Sequence, residues 1–291
     1  MKLSIIIPAK NEETPLKMLL PRLQQYYADA EILVVDDGST DATAEICNQS
    51  GVRVVSHPYS MGNGAAIKTG ARNATGNILA FMDADGQHRP EDLSRLLEKL
   101  AQGYDMVVGA RSAQSQASMA RQAANYIYNR LASIMTGYNI EDLTSGLRVA
   151  RARHFLKFLY LLPNGFSYPT TSTMAFFRSG LSVGYVPIET GQREGVSHIK
   201  LLRDGLRFFV IILKIGALFS PMRFFLPISF SLFSLGIAYY VYTYISWGRL
   251  TNMTAILLVS ALLTFLIGIV SEQISSLHYK HTDDDMRRTQ R

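Results

Sequence analysis

Residues 77–91 read NILAFMDADGQHRPE. The run Asn77–Met82 is short, apolar and continuous, the signature of a strand covered on both faces, as in a parallel sheet. Pro90 suits the first position of a helix over Pro90–Leu100. The acidic block between them therefore sits at the carboxyl end of a buried strand. Working outward, the same alternation recurs. Strands are expected at Ser4–Pro8, Glu31–Asp36, Val52–Ser56 and Met106–Ala110, with helices at Pro15–Tyr27, Asp41–Gln49 and Gly64–Ala74 between them. Thr40 or Asp41 would cap the second helix. This order predicts an α/β domain with a Rossmann-like, mostly parallel, doubly wound sheet. From about 113 to 180 the pattern is less regular and more helical, and Ser182–Pro187 reads as a late strand.

In such sheets ligands bind beyond the carboxyl ends of the strands. Three of those ends carry acids: Lys10-Asn11-Glu12-Glu13, Asp36-Asp37 and Asp83-Ala84-Asp85. Clustered carboxylates repel, and a divalent cation among them removes the cost. Asp83 and Asp85 can lean towards one ion, with Gln87 as a third oxygen. Hard oxygen ligands of this kind suit Mg2+ or Mn2+ beside substrate phosphates.

The C-terminal third differs in composition. Phe224–Trp247 and Leu250–Ser271 carry no charge, and Arg249 alone interrupts them. Each run is long enough to cross a hydrocarbon core of about 30 Å as a helix. The net charge is +6. Lys200, Arg203, Arg207, Lys214 and Arg223 precede the first run, and Lys280, Arg287, Arg288 and Arg291 follow the second. The positive-inside rule then puts both ends of a two-helix transmembrane hairpin in the cytoplasm. The basic, apolar stretch 198–220 reads as an amphipathic helix lying in the interface. The expected organisation is a catalytic domain over 1–197, the interfacial helix over 198–220, the hairpin over 221–273 and a cytoplasmic tail over 274–291. The N-terminus enters a strand at once, so no signal peptide is expected. The lone Cys47 is read as packing in a reducing compartment. His57, His154, His278 and His281 lack metal spacing, and 283–285 reads as a solvated acidic tail. Gly62-Asn63-Gly64 matches a dinucleotide fingerprint poorly and serves tight entry into a helix. Nothing points to nucleic acid.

Together the blocks PAKNEE (8–13), VVDDGSTD (34–41), GNGAAIKTG (62–70) and DADGQHRPE (83–91) resemble the inverting family-2 glycosyltransferases of the GT-A fold. More narrowly, the chain is similar to their polyprenyl-phosphate branch, which includes dolichol-phosphate mannose synthase. The resemblance implies that Pro8, Lys10, Glu12 and the backbone at Val35 line a nucleoside pocket and that Asp37 bonds the base or ribose. It implies that Asp83, Ala84 and Asp85 meet the donor, with Asp83, Asp85 and Gln87 holding the metal. Asp85 and Arg111 would be catalytic. Arg111, Arg121, Arg130 and Ser145 would meet the acceptor phosphate, and Arg193, with either His198 or Lys200, would close over the donor. The implied reaction moves a sugar from a UDP- or GDP-linked donor to a polyprenyl phosphate at the cytoplasmic membrane. The alternative is a processive or other membrane-bound family-2 transferase acting on a polysaccharide or glycolipid. Whether the chain forms a homo-oligomer is open.

Overall fold

The computed structural model describes residues 2–111, 119–165, 167–189 and 220–288, with only the backbone path for 119–124 and 278–288. The expected alternation is present. β1 (Leu3–Ala9), α1 (Glu13–Tyr26), β2 (Glu31–Asp36), α2 (Thr43–Gln49), β3 (Arg53–Ser56), α3 (Asn63–Asn73), β4 (Ile78–Phe81), α4 (Pro90–Ala101) and β5 (Met106–Arg111) follow one another. α5 (Met119–Thr136), β6 (Arg148–Arg151), α6 (Ala152–Phe155), a 3-10 turn (Leu156–Leu161), α7 (Tyr168–Arg178) and β7 (Val183–Ile188) complete the sheet domain.

The strands form one sheet in the order β3-β2-β1-β4-β6-β5-β7. All pairings are parallel except those of β6, which runs antiparallel between β4 and β5. The strand order reverses between β1 and β4, which is where such sheets open a crevice. β6 was not expected from the sequence. Its four residues, Arg-Val-Ala-Arg, are too few for a period to emerge. Its direction has a consequence: the amino end of β6 lies at the same edge as the carboxyl ends of β4 and β5, with Arg148 opposite both Phe81 and Val108.

Ile5, Ile7, Leu20, Val34, Leu96 and Val149 belong to the core on one face. α3 covers the other face closely. A Cβ on Gly70 would fall 2.3 Å from Ile6 Cγ2, so only glycine lets the helix approach β1 this far. The start of α2 differs from expectation. Asp41 Oδ1 accepts from the Thr43 N–H at 3.0 Å while Oδ2 accepts from the Glu13 N–H at 3.3 Å, so one carboxylate serves two helix starts and α2 begins at Thr43.

The C-terminal unit consists of α8 (Pro221–Trp247) and α9 (Asn252–Arg288), and residues 131–138 group with it rather than with the sheet. Arg223 Nη1 donates to the Met135 carbonyl at 3.1 Å and the Ile134 carbonyl at 3.3 Å, a cation at the carboxyl end of α5. α8 and α9 pack through small residues. A Cβ on Gly236 would fall 2.9 Å from Leu258 Cδ2, and one on Gly268 would fall 2.9 Å from Phe225 Cβ. Ser229 Oγ donates to the Ala261 carbonyl at 2.8 Å. Such close, small-residue packing is how membrane helices associate. Pro221–Trp247 and Asn252–Leu277 are long and apolar enough to cross a membrane. Phe230, Ile245, Leu235 and Leu263 stand exposed on them. No break separates hairpin from tail, because α9 continues to Arg288. The expected interfacial helix, 198–220, lies outside the described residues apart from Ser220.

Candidate active site

The acidic loops meet along one edge of the sheet, but they divide into two groups with different tasks. Asp37 belongs to the first. Its carboxylate is buried and accepts from His57 Nδ1 at 2.8 Å, Ser60 Oγ at 2.8 Å, the Met61 N–H at 2.7 Å and the Gly62 N–H at 2.9 Å. A carboxylate offers about four lone-pair sites, so its own chain occupies them all. Burial raises the Asp37 pKa, and these bonds, His57 first, more than reverse it and leave it lowered. With these four donors in place, Asp37 would have to exchange one of them to bond a base or ribose. Asp37 ties the 57–62 loop to β2. His57 passes the connection on to α3 through Nε2 and Thr69 Oγ1, 2.9 Å apart.

Gly62, at φ 101°, turns the chain into α3, and a Cβ there would fall 2.5 Å from the Asn164 carbonyl. The first free N–H groups of α3, on Gly64 and Ala65, donate to the carbonyls of Gly165 and Asn164 at 3.1 and 2.9 Å. This helix start is filled by protein backbone. It confirms tight helix entry and leaves no phosphate cradle there.

Pro8 and Val35 lie opposite one another in the sheet, and both are buried. Lys10 is exposed, and its Nζ donates to Ser60 Oγ at 2.9 Å. Glu12 is half-buried just before α1.

The second group surrounds Asp83. This side chain emerges from β4 and lies against the backbone of Gly146: a Cβ on residue 146 would fall 2.1 Å from Asp83 Oδ2. His88 Nε2 stands 3.7 Å from the same oxygen. Burial raises the Asp83 pKa, but His88, Arg111 and Arg148 outweigh it and keep the carboxyl ionised below its usual range. The φ of Gly146 is not positive, so close approach to Asp83 rather than turn geometry accounts for a glycine there. Asp85 Oδ1 accepts from the Gln87 N–H at 3.2 Å, and Ala84 between the two acids is buried.

Arg111 ends β5. Its Nε and Nη2 donate to Asp142 Oδ2 and Oδ1 at 2.8 and 3.0 Å, and Nη2 also donates to Thr144 Oγ1 at 2.6 Å. Asp142 additionally accepts from the N–H groups of Thr144 and Ser145, both at 3.0 Å. Burial raises the Asp142 pKa, and Arg111 more than offsets it. Sequence reasoning missed Asp142 as the partner of Arg111; only the 31-residue return of the chain to β6 brings them together. Ser145 is fully buried, and its Oγ has no hydrogen-bond partner. Arg130 is exposed. The side chain of Arg121, and all of Arg193, His198 and Lys200, lie outside the described residues.

Among the described residues, no three or more His, Cys, Asp or Glu side chains form a metal cage. The donor set nonetheless fits Mg2+ or Mn2+, which are usually held by one or two carboxylates and completed by water and substrate phosphates. Asp83, Asp85 and Gln87 supply that kind of oxygen at the end of one strand.

Residues 4–159 match the family model for glycosyl transferase family 2, and residues 220–277 match the GtrB C-terminal hairpin. Undecaprenyl-phosphate 4-deoxy-4-formamido-L-arabinose transferase from Photorhabdus laumondii is 36% identical over 166 residues, 54% of this chain and 50% of that protein. The chain thus spans half the length of that relative. Polyprenol monophosphomannose synthase from Mycolicibacterium smegmatis is 32% identical over 210 residues, 66% of this chain and 79% of the relative. Glucosyl-3-phosphoglycerate synthase from Mycobacterium tuberculosis, solved with Mn2+ and UDP-glucose, superposes with a TM-score of 0.62 at 21% identity, covering 74% of this chain and 79% of that one. That likeness is one of fold. With a matching model over more than half its length and a sheet of the same architecture, the chain belongs to glycosyl transferase family 2.

Proposed function

We propose that this chain transfers a sugar from a nucleotide-sugar to a polyprenyl phosphate, with inversion at the anomeric carbon. The observation that carries this reading is the union, in one chain, of a family 2 domain with a hairpin of the GtrB type. The named relatives, an undecaprenyl-phosphate transferase and a polyprenol monophosphomannose synthase, act on the same class of acceptor.

The chemistry follows from charge. As the glycosidic bond breaks, negative charge grows on the leaving nucleoside diphosphate. A divalent cation held by Asp83, Asp85 and Gln87 would stabilise that charge where it develops. Gly146 keeps the Asp83 carboxylate in place. The attacking group is a phosphate oxygen, already anionic at neutral pH, so no strong general base is required. Arg111, oriented by Asp142, would set the two phosphate-bearing substrates in line, and the Ser145 hydroxyl would donate to an acceptor oxygen. Arg121, Arg130, Arg193, His198 and Lys200 complete the proposed set. The hairpin would tether the catalytic domain where a lipid phosphate resides, with both of its ends in the cytoplasm by the positive-inside rule.

Incubating the full chain with a panel of nucleotide-sugars, and with undecaprenyl or dolichyl phosphate, tests this. Nucleoside diphosphate release should require the lipid phosphate and should fail with the free prenol.

A further inference from the structure

Among the described residues, Arg148 is the largest side chain with no solvent exposure. It opens β6 directly behind the edge where Asp83 and Arg111 emerge. Nη1 donates to the Pro169 carbonyl at 2.9 Å, Ser172 Oγ at 2.7 Å and Thr173 Oγ1 at 3.2 Å, and Nη2 donates to the Ser145 carbonyl at 2.6 Å. The guanidinium lies over the Tyr168 ring, 5.5 Å from its centre, and its Nε has no partner. Every one of these partners is neutral. Among the described residues no carboxylate forms an ion pair with Arg148.

A buried cation that no carboxylate contacts is costly, and an apolar side chain of similar volume would serve packing better. Its neighbourhood explains why a charge is kept. Arg111 is engaged by both oxygens of Asp142, so that pair is neutral at contact distance. Asp83 and Asp85 add negative charge to the same edge. Two phosphate-bearing substrates would add more, and positive charge is needed to offset it. Arg148 supplies a full charge beside Ser145, in a low-dielectric interior where its field is weakly screened.

We propose that Arg148 is a positioning residue. Its charge, which no carboxylate contacts among the described residues, holds a phosphate group beside Ser145, and its bond to the Ser145 carbonyl fixes the backbone that presents the Ser145 hydroxyl. The inference rests on the reading above that phosphates bind at this edge.

The test uses the full chain in detergent micelles, with inorganic pyrophosphate as the probe and calorimetry as the readout. Arg148→Lys keeps the charge, while Arg148→Gln keeps some hydrogen bonding without it. Affinity should fall about tenfold or more in Arg148→Gln and less than about threefold in Arg148→Lys, whatever the order of their melting temperatures. A merely structural arginine would instead make affinity follow stability. Equal binding by wild type and Arg148→Gln, or equal losses in both variants, overturns the proposal. If Arg148→Gln does not fold, Arg148→Lys decides alone: affinity near wild type supports the proposal and a tenfold loss overturns it. Charge-dependent binding in a protein that transfers no sugar to any lipid phosphate would sink the proposed function and leave this inference standing. An active wild type with a fully active Arg148→Gln variant would sink this inference alone.

Discussion

The Asp83 carboxylate rests on the α-carbon of Gly146, so closely that a Cβ at residue 146 would stand 2.1 Å from Oδ2. The contact joins the end of β4 to the loop that carries Asp142 and Ser145. Gly146→Ala must push one of the two away. Overpacking of this kind costs about 1–3 kcal/mol. Because displacement of a reacting group by about 1 Å can cost roughly 100-fold, turnover should fall far more than stability does. Steady-state kinetics beside a denaturant titration checks this; a variant of near wild-type activity would show that Asp83 has no positional role.

Asp85→Asn removes a charge and leaves volume unchanged. The protein should stay folded and in the membrane fraction, lose turnover, and bind Mn2+ more weakly in the presence of nucleoside diphosphate. Electron paramagnetic resonance of Mn2+ reads the binding independently of activity. Unchanged Mn2+ affinity would remove Asp85 from the ligand set.

Asp37 predicts a different phenotype. Asp37→Ala strands four donors, the His57 ring, the Ser60 hydroxyl and two backbone N–H groups. Leaving buried donors unpaired costs about 1–3 kcal/mol each where water cannot reach them. The variant should lose several kcal/mol of stability by chemical denaturation. A stable variant with a selective loss of donor affinity would instead make Asp37 a nucleotide-binding residue.

How far the sequence carried depends on whether a feature is local. The order of strands and helices to β5 was legible because apolar runs and turn residues are local signals. Pro90 opened its helix as expected, and Cys47 is buried, with its thiol pushed up to about 11 by desolvation. The acidic ends of β1, β2 and β4 do share one edge. What could not be read was which acids are already satisfied. Asp37 and Asp83 look alike in sequence, but the first is closed off by the 57–62 loop and the second faces Gly146. The antiparallel β6 and the Arg111–Asp142 pair depend on contacts between distant segments, which no periodicity encodes. The burial of Arg148 was not legible either.

Glu31 supplies a pH signature away from the site. Burial raises its pKa, but bonds from Ser4, Thr75 and Arg53 outweigh that and lower it from 4.5 to about 2. A depressed folded value means its contribution is complete above about 4.5 and lost as pH falls towards 2. Glu31→Gln should be less stable than wild type by about 2–3 kcal/mol at pH 7. The gap should close between pH 4.5 and 2. A gap independent of pH would contradict the assignment.

The central claim is tested most directly by the product. Purified full-length protein, a nucleotide-sugar and undecaprenyl phosphate should yield a glycolipid whose mass equals lipid phosphate plus one glycosyl residue, with the anomeric configuration opposite to the donor's. Sugar incorporated into polymer, or a donor that is only hydrolysed whatever lipid phosphate is supplied, would contradict the account.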